Sequence, residues 1–227
     1  MKIMLTGSSG MIGSAVETVC AGKRLECIPL SHQDLDITDC EALKKEVKKL
    51  KPDVIFNAVG IVGVNPCEED PQTAFNVNAI AVSNLAKICA EEDIILVQPG
   101  SHAIFDGEKT CPYTEDDLPN PISIYSATKH LSECFAINLC PKHYIPRYST
   151  LFGVRRNLAF GFTDKVLNWA KEGKILSIAD DKLDSPTYSL DAAKISLELI
   201  QDQKPYGIYH IANTGMVSYY DFVVKFL

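Results

Sequence analysis

The sequence predicts an α/β fold, a parallel sheet wound on both faces by helices and followed by a small C-terminal lobe. Three observations predict it. Apolar strand patterns alternate with helical patterns along most of the 227 residues. The first strand pattern runs into a glycine-rich turn, Thr6-Gly7-Ser8-Ser9-Gly10-Met11-Ile12-Gly13, which opens a helix. Farther on, Tyr125-Ser-Ala-Thr-Lys129 sits on a helical pattern that follows a strand closed by Pro99-Gly100. Sheets of this kind bind ligands outside the carboxyl ends of their strands, and each of these features falls at such an end or on the helix after it.

Residues 2–6 form a short apolar strand pattern, 10–20 a helix ending near Gly22, and 25–30 a second strand. Asp39 caps a charged helix reaching about residue 49, with Ala42, Leu43 and Val47 on its inner face. Strands follow at 53–57 and 94–98, on either side of a long helix at 74–91. Residues 106–122, rich in Pro, Asp, Glu and Gly, read as a loop. A helix at 123–139 and a strand at 143–151 complete the alternation. This first region, residues 1–154, is expected to bind a dinucleotide.

Residues 155–227 read as a mixed α/β region that includes the substrate-binding lobe. Its helices are expected at 162–171 and 190–201 and its strands at 174–178 and 207–211. A last helix, 219–227, reaches the final residue without a cap, so a truncated C-terminus is expected.

Composition narrows the function. With 22 Lys and Arg against 29 Asp and Glu, the net charge of −7 disfavours a nucleic-acid partner. No apolar run approaches the roughly 20 residues of a membrane span, and Lys2-Ile3-Met4-Leu5 is too short for the core of a signal peptide. The eight cysteines form no CxxC pair and the five histidines are scattered, so free thiols, a cytoplasmic location and no metal are expected.

Gly7, Gly10 and Gly13 give G-x-x-G-x-x-G, in which the first glycine permits the turn. The second admits a pyrophosphate and the third packs the helix on the sheet. The helix N-terminus, at Met11 and Ile12, offers free N–H groups to phosphate. After the second strand, Ser31 and His32 occupy the position that reads the ribose 2′ substituent, which permits NADP or NAD. Asp36 is placed to accept from an adenine amino group, with Ile37 against the ring. Ala58, Val59 and Gly60 are small enough for a cofactor to lie across the third strand end, where Asn57 is a contact or a tie between strands.

Tyr125 and Lys129 are four residues apart and share a helix face. A carbonyl reduction needs a proton donor poised near working pH, and an ammonium beside a phenol lowers the phenol's pKa. Lys129 also suits ribose hydroxyls, and Ser101 suits a hydrogen bond to a carbonyl oxygen as charge develops.

Together with these, the chain carries Asp34-Leu-Asp-Ile-Thr-Asp39, Pro52-Asp-Val-Ile-Phe-Asn-Ala58, Val77-Asn-Ala79, Asn84-Leu-Ala86, Ile104-Phe-Asp-Gly107, Pro112-Tyr-Thr-Glu115, Asn120-Pro121, Ser185-Pro-Thr-Tyr188 and Tyr219-Tyr-Asp-Phe222. In that order it resembles the extended short-chain dehydrogenase/reductase family, and within it the dTDP-4-dehydrorhamnose reductase group. The resemblance implies a Rossmann-type sheet and NAD(P)H-dependent reduction of a nucleotide-linked 4-keto-6-deoxysugar. Ser101, Tyr125 and Lys129 would be catalytic.

Two departures fall on the substrate side. His102-Ala103 replaces the family's Asp-Tyr, and Thr150 stands where the family has a tryptophan. Ser101, His102, Ala103 and Thr150 are therefore the expected substrate contacts. The expected partner is a small-molecule nucleotide sugar. A homodimer is compatible with the sequence, which fixes no oligomeric state. Two alternatives stay open. One is a nucleotide-sugar epimerase or dehydratase. The other is a non-catalytic dinucleotide-binding subunit similar to the regulatory β subunit of methionine adenosyltransferase. Arg155 and Arg156 suit a substrate diphosphate or a solvated turn.

Overall fold

Helices cover both faces of the central sheet, and the strand sequences reflect it. In β1 (Lys2–Thr6), Ile3 and Leu5 enter one core while Met4 enters the other, so the centre of the strand is a run of apolar residues rather than an alternation. The computed structural model describes residues 1–153 and 161–227.

After β1 come α1 (Met11–Lys23), β2 (Glu26–Leu30), α2 (Cys40–Leu50) and β3 (Val54–Asn57). The Asp39 carboxylate accepts from the N–H groups of Glu41 and Ala42, and Leu43 and Val47 are the buried residues of α2. Next are α3 (Val64–Glu69), α4 (Pro71–Phe75), a π-helical turn (Asn76–Ile80) and α5 (Ala81–Glu91). Then follow β4 (Ile95–Val97), the short β5 (Gly100–Ser101), a 3₁₀ turn (His102–Ile104), α6 (Ile124–Leu139) and β6 (His143–Tyr148). The C-terminal part contains β7 (Leu151–Phe152), α7 (Phe162–Lys171), β8 (Leu183–Asp184), β9 (Thr187–Tyr188), α8 (Ser189–Gln201), β10 (Gly207–Ile211), β11 (Val217–Ser218) and α9 (Tyr219–Phe226).

The sheet runs β10-β6-β4-β3-β1-β2, with β5 also paired to β6. Every pairing in it is parallel. The chain leaves β1 for β2 on one side and crosses back to β3 on the other. The carboxyl ends of β1 and β3 therefore flank a topological switch point, where this architecture binds ligands. One core lies between the sheet and α1 with α8; the other lies under α2, α5 and α6.

Three expectations need correction. The helix expected at 74–91 is α4, the π turn and α5 in succession. The wider turn carries Asn78 inward, 2% exposed, where it bonds the Ile61 backbone and Thr128. The strand expected at 143–151 stops at Tyr148, because Ser149 and Thr150 turn their hydroxyls to the Ser185 carbonyl and the Asp184 carboxylate. Residues 174–178 pair with no strand among the described residues, and Ile175 stands fully in solvent. The expected boundary at residue 154, like Arg155 and Arg156, lies outside the described residues. Beyond it, α8 packs on α1 and β10 joins the main sheet beside β6, so much of the second region completes the first.

Candidate active site

The glycine turn closes against the end of β3. Gly7 is in the left-handed region at φ 69°, and a Cβ there would lie 2.7 Å from the Ala58 carbonyl carbon and 2.8 Å from the Val59 nitrogen. A Cβ on Gly13 would lie 2.2 Å from the Gly7 carbonyl oxygen. Gly10 differs: its Cβ would reach Gly7 O only at 3.4 Å and Ala58 O at 4.0 Å, so the protein itself leaves room there. Gly10 caps α1 without any side-chain hydrogen bond. The N-terminus of α1, at Met11 and Ile12, thus faces an open, glycine-lined space between β1 and β3. A pyrophosphate fits such a cradle, since free helix N–H groups and the helix dipole favour an anion.

Beyond the end of β2, where an adenine was expected, is a cavity of about 540 Å³, lined among others by His32, Asp36, Thr73, Val77 and Asn84. The Asp36 carboxylate accepts from the Thr38 hydroxyl at 2.7 Å and the Thr38 N–H at 2.9 Å. Those bonds hold its pKa below the ordinary carboxylate value. Ile37, expected against an adenine ring, is only 2% exposed, so its side chain belongs to the core and cannot wall the cavity. Ser31 donates both its N–H and its hydroxyl to Asp34, at 2.8 and 2.6 Å, which brings a carboxylate to the end of β2.

Across the strand ends, Thr6 Oγ1 donates to Asn57 Oδ1 at 2.8 Å and Asn57 Nδ2 donates to Gln98 Oε1 at 2.8 Å. Asn57 is therefore a tie between the ends of β1, β3 and β4. Ala58 and Val59 are half-buried and Gly60 exposed beside that tie. Asn78 accepts the Ile61 N–H at 2.8 Å and fixes the loop that follows.

At the end of β5, Ser101 is 6% exposed and accepts the Ala103 N–H at 3.2 Å. The Ser101 hydroxyl also pulls the pKa of the Tyr125 phenol down. Desolvation outweighs it, and the phenol lies above its ordinary value. Lys129 is not among the groups that move this pKa. Lys129 Nζ is turned to the Pro99 carbonyl oxygen, 2.5 Å away. Burial moves the Lys129 pKa down to about 8, while the Glu133 carboxylate raises it. Ser123 and Ser126 cap α6 reciprocally, and Ile124 N–H donates to Glu68 at 2.8 Å, which seats the first turn of the helix carrying both residues.

On the other side of Ser101 is a polar cluster that sequence reasoning saw only in part. Thr150 donates its hydroxyl to Asp184 Oδ2 and lies 2.6 Å from the Tyr219 hydroxyl. The Thr150 oxygen is thus held between Asp184 and Tyr219. His102 Nδ1 donates to the Tyr148 carbonyl at 3.1 Å, and His102 Nε2 lies 3.7 Å from Asp184 Oδ2. His102 and Ala103 are both half-buried beside Ser101. Asp184 and Tyr219 were missed as site residues. Their only signal is that they flank or fall within the Ser185-Pro-Thr-Tyr188 and Tyr219-Tyr-Asp-Phe222 segments.

This geometry has relatives. A family model described as RmlD substrate binding domain matches residues 1–227. The dTDP-4-dehydrorhamnose reductase of Aggregatibacter actinomycetemcomitans is 30% identical over 98% of this chain and 77% of its own length. A solved Clostridium acetobutylicum dTDP-4-dehydrorhamnose reductase superposes with a TM-score of 0.93 at 36% identity, over 99% of this chain and 79% of the other. The Bacillus anthracis dTDP-4-dehydrorhamnose reductase, solved in complex with NADP, superposes with a TM-score of 0.91 at 29% identity, over 99% and 80% of the two chains.

Proposed function

The chain belongs to the RmlD substrate binding domain family, and from that membership and its site we propose that it is an NAD(P)H-dependent reductase of a nucleotide-linked 4-keto-6-deoxysugar. The observation that carries the reading is the Lys129 bond to Pro99, which ties the helix of Tyr125 and Lys129 to the strand end that carries Ser101, beside the glycine-lined switch point. The cofactor is NADP or NAD, held by Gly7, Gly10, Met11, Ile12 and Gly13 on the pyrophosphate side. Ser31, Asp36 and the Ile37 backbone serve the adenosine side, and Ala58, Val59 and Gly60 lie along the middle. Bound there, the reduced nicotinamide supplies a hydride to the carbonyl carbon.

The residues of this chain do the rest. Ser101 donates a hydrogen bond to the carbonyl oxygen. Desolvation keeps Tyr125 protonated through the neutral range, so it has a proton to hand to that oxygen. The Lys129 cation then stabilises the phenolate. One of its three N–H donors is engaged by Pro99, leaving two for ribose hydroxyls and the phenolate. His102 and Ala103 serve as the substrate side, with Asp184, Thr150 and Tyr219 behind them. Residues 1–154 form the cofactor-binding part and 155–227 include the substrate lobe.

No helix among the described residues is long and apolar enough to cross a membrane. The proposal extends to a cytoplasmic homodimer. Eight free cysteines support the reducing compartment. Ile80 and Ile137, which are 49% and 40% exposed, support an interface on the helices beside α5 and α6.

The test is oxidation of NADPH and NADH against a panel of 4-keto nucleotide sugars, followed across pH. Turnover with at least one sugar is expected, and none with any would overturn the proposal. The pH profile has a predicted sign. Lys129 is charged below its free-protein pKa of about 8 and neutral above it. Because kcat/KM reports the free enzyme, it should fall as pH rises through that value. A profile flat across this range would remove Lys129 from the mechanism.

A further inference from the structure

Two strands and the catalytic helix are joined by one buried ion pair. Glu133, one turn past Lys129 on α6, is 1% exposed, and Arg147 on β6 is 4% exposed. Arg147 Nε donates to both Glu133 oxygens at 3.2 and 3.1 Å, and Nη2 donates to Oε2 at 2.9 Å. Across the β5/β6 pairing, Gly100 stands opposite Arg147 and Ser101 opposite Tyr148. A Cβ on Gly100 would lie 2.3 Å from Glu133 Oε1 and 2.9 Å from Arg147 Cγ. The fork is thus pressed against the backbone that carries Ser101. Lys129 completes the loop by donating to Pro99, the residue before Gly100.

The surroundings hold the fork in one orientation. The Arg147 guanidinium carbon lies 5.4 Å from the Phe105 ring centroid. Its Nη1 is 3.3 Å from His210 Nε2 on β10, and the His210 N–H donates to Glu115 at 2.7 Å. A buried ion pair is a poor device for stability alone, because the cost of desolvating two charges offsets most of their attraction. What it supplies is a planar, two-bond geometry with a fixed angle between its partners.

We propose that Glu133 and Arg147 are positioning residues for the reduction: their fork sets the spacing between Ser101 on β5 and Tyr125 on α6, and keeps a negative charge behind Lys129. This rests on the reductase reading above. The charge enters through groups on four elements: Glu133 and Lys129 on α6, Arg147 on β6, His210 on β10, and Glu115 in the loop before α6. Glu133 raises the Lys129 pKa against burial, so removing its charge moves Lys129 deprotonation to lower pH.

The experiment compares Glu133→Gln and the apolar pair Glu133→Leu with Arg147→Met, made in the full chain and checked for a cooperative thermal transition. Replacing both partners avoids stranding a buried charge, so the double variant is expected to fold even if the single does not. In either folded variant kcat should fall about 10- to 100-fold, as expected for misplaced reacting groups, with the sugar KM changed less than about threefold. The alkaline limb of the pH profile should move to lower pH. A folded double variant with wild-type kcat and an unmoved limb would mean a merely structural pair and overturn the proposal. The Lys129 side-chain titration, followed by heteronuclear NMR without substrate, separates the two readings. If the wild type reduces no keto sugar, the functional reading fails. A downward shift of that titration in the variants still supports the negative charge that Glu133 keeps behind Lys129, and an unshifted one rejects it.

Discussion

Tyr125→Phe is expected to leave a folded, dinucleotide-binding protein whose turnover is lower by about 10²- to 10⁴-fold, the range that a positioned general acid contributes. The substitution deletes one oxygen and keeps the aromatic ring, while the Ser123–Ser126 cap and the Ile124 bond to Glu68 still seat the start of α6. Against the downward pull of the Ser101 hydroxyl, desolvation holds that oxygen protonated. Without it, the carbonyl oxygen keeps only the Ser101 hydrogen bond and must find its proton in solvent. The loss belongs in kcat, with the sugar KM little changed, because the phenol acts where charge develops in the transition state. Steady-state kinetics beside dinucleotide titration separates the two. A variant with kcat within twofold of wild type would remove Tyr125 from the chemistry.

Gly13→Ala should destabilise the fold by about 3 kcal/mol, the upper range for forcing atoms into a packed interior. The new Cβ would sit 2.2 Å from Gly7 O and 2.9 Å from Gly7 C and Ser8 Cα. All three are backbone atoms, so no flexible side chain can swing away, and α1 must move off the turn. Gly10→Ala is the contrast. There the nearest protein atom is 3.4 Å away, so stability should change by less than about 1 kcal/mol, the small helix-start penalty of losing a permissive residue. Dinucleotide affinity should fall all the same, because the added methyl fills the space in front of the α1 N–H groups. Denaturant midpoints and binding titrations on both variants check the pair of outcomes. Equal effects at the two glycines would contradict the cradle.

Much of this was legible in the residues themselves, and the losses have physical causes. The cap at Asp39 and the inner positions Leu43 and Val47 identify α2, because helix periodicity and N-cap chemistry are local. The strand at 207–211 and the helix at 162–171 match β10 and α7 for the same reason. The short pairs β7 with β9 and β8 with β11 are each two residues long and join segments far apart in sequence, so no window could show them. The apolar residues 174–178 imitate a strand, but they have no partner among the described residues to pair with.

In the site, the spacing of Tyr125 and Lys129 was visible, and so was the hydroxyl at Ser101. The direction of the Tyr125 pKa was not, because it depends on how deeply the phenol is desolvated and on Lys129 choosing the Pro99 carbonyl. Asp184 and Tyr219 reach Thr150 from 34 and 69 residues away. Arg147, an arginine in the middle of β6, was the sequence signal of the Glu133 fork, and it reads as unusual only once both faces of β6 are known to be covered.

The most direct measurement is the transfer of deuterium from NADPH or NADH carrying two deuterons at nicotinamide C4 to the sugar, followed by mass spectrometry of the nucleotide-sugar product. The reductase account predicts one deuterium retained at the former carbonyl carbon for each nicotinamide oxidised, with both events lost together in Tyr125→Phe. A product without deuterium, or sugar conversion with no net nicotinamide oxidation, would contradict it.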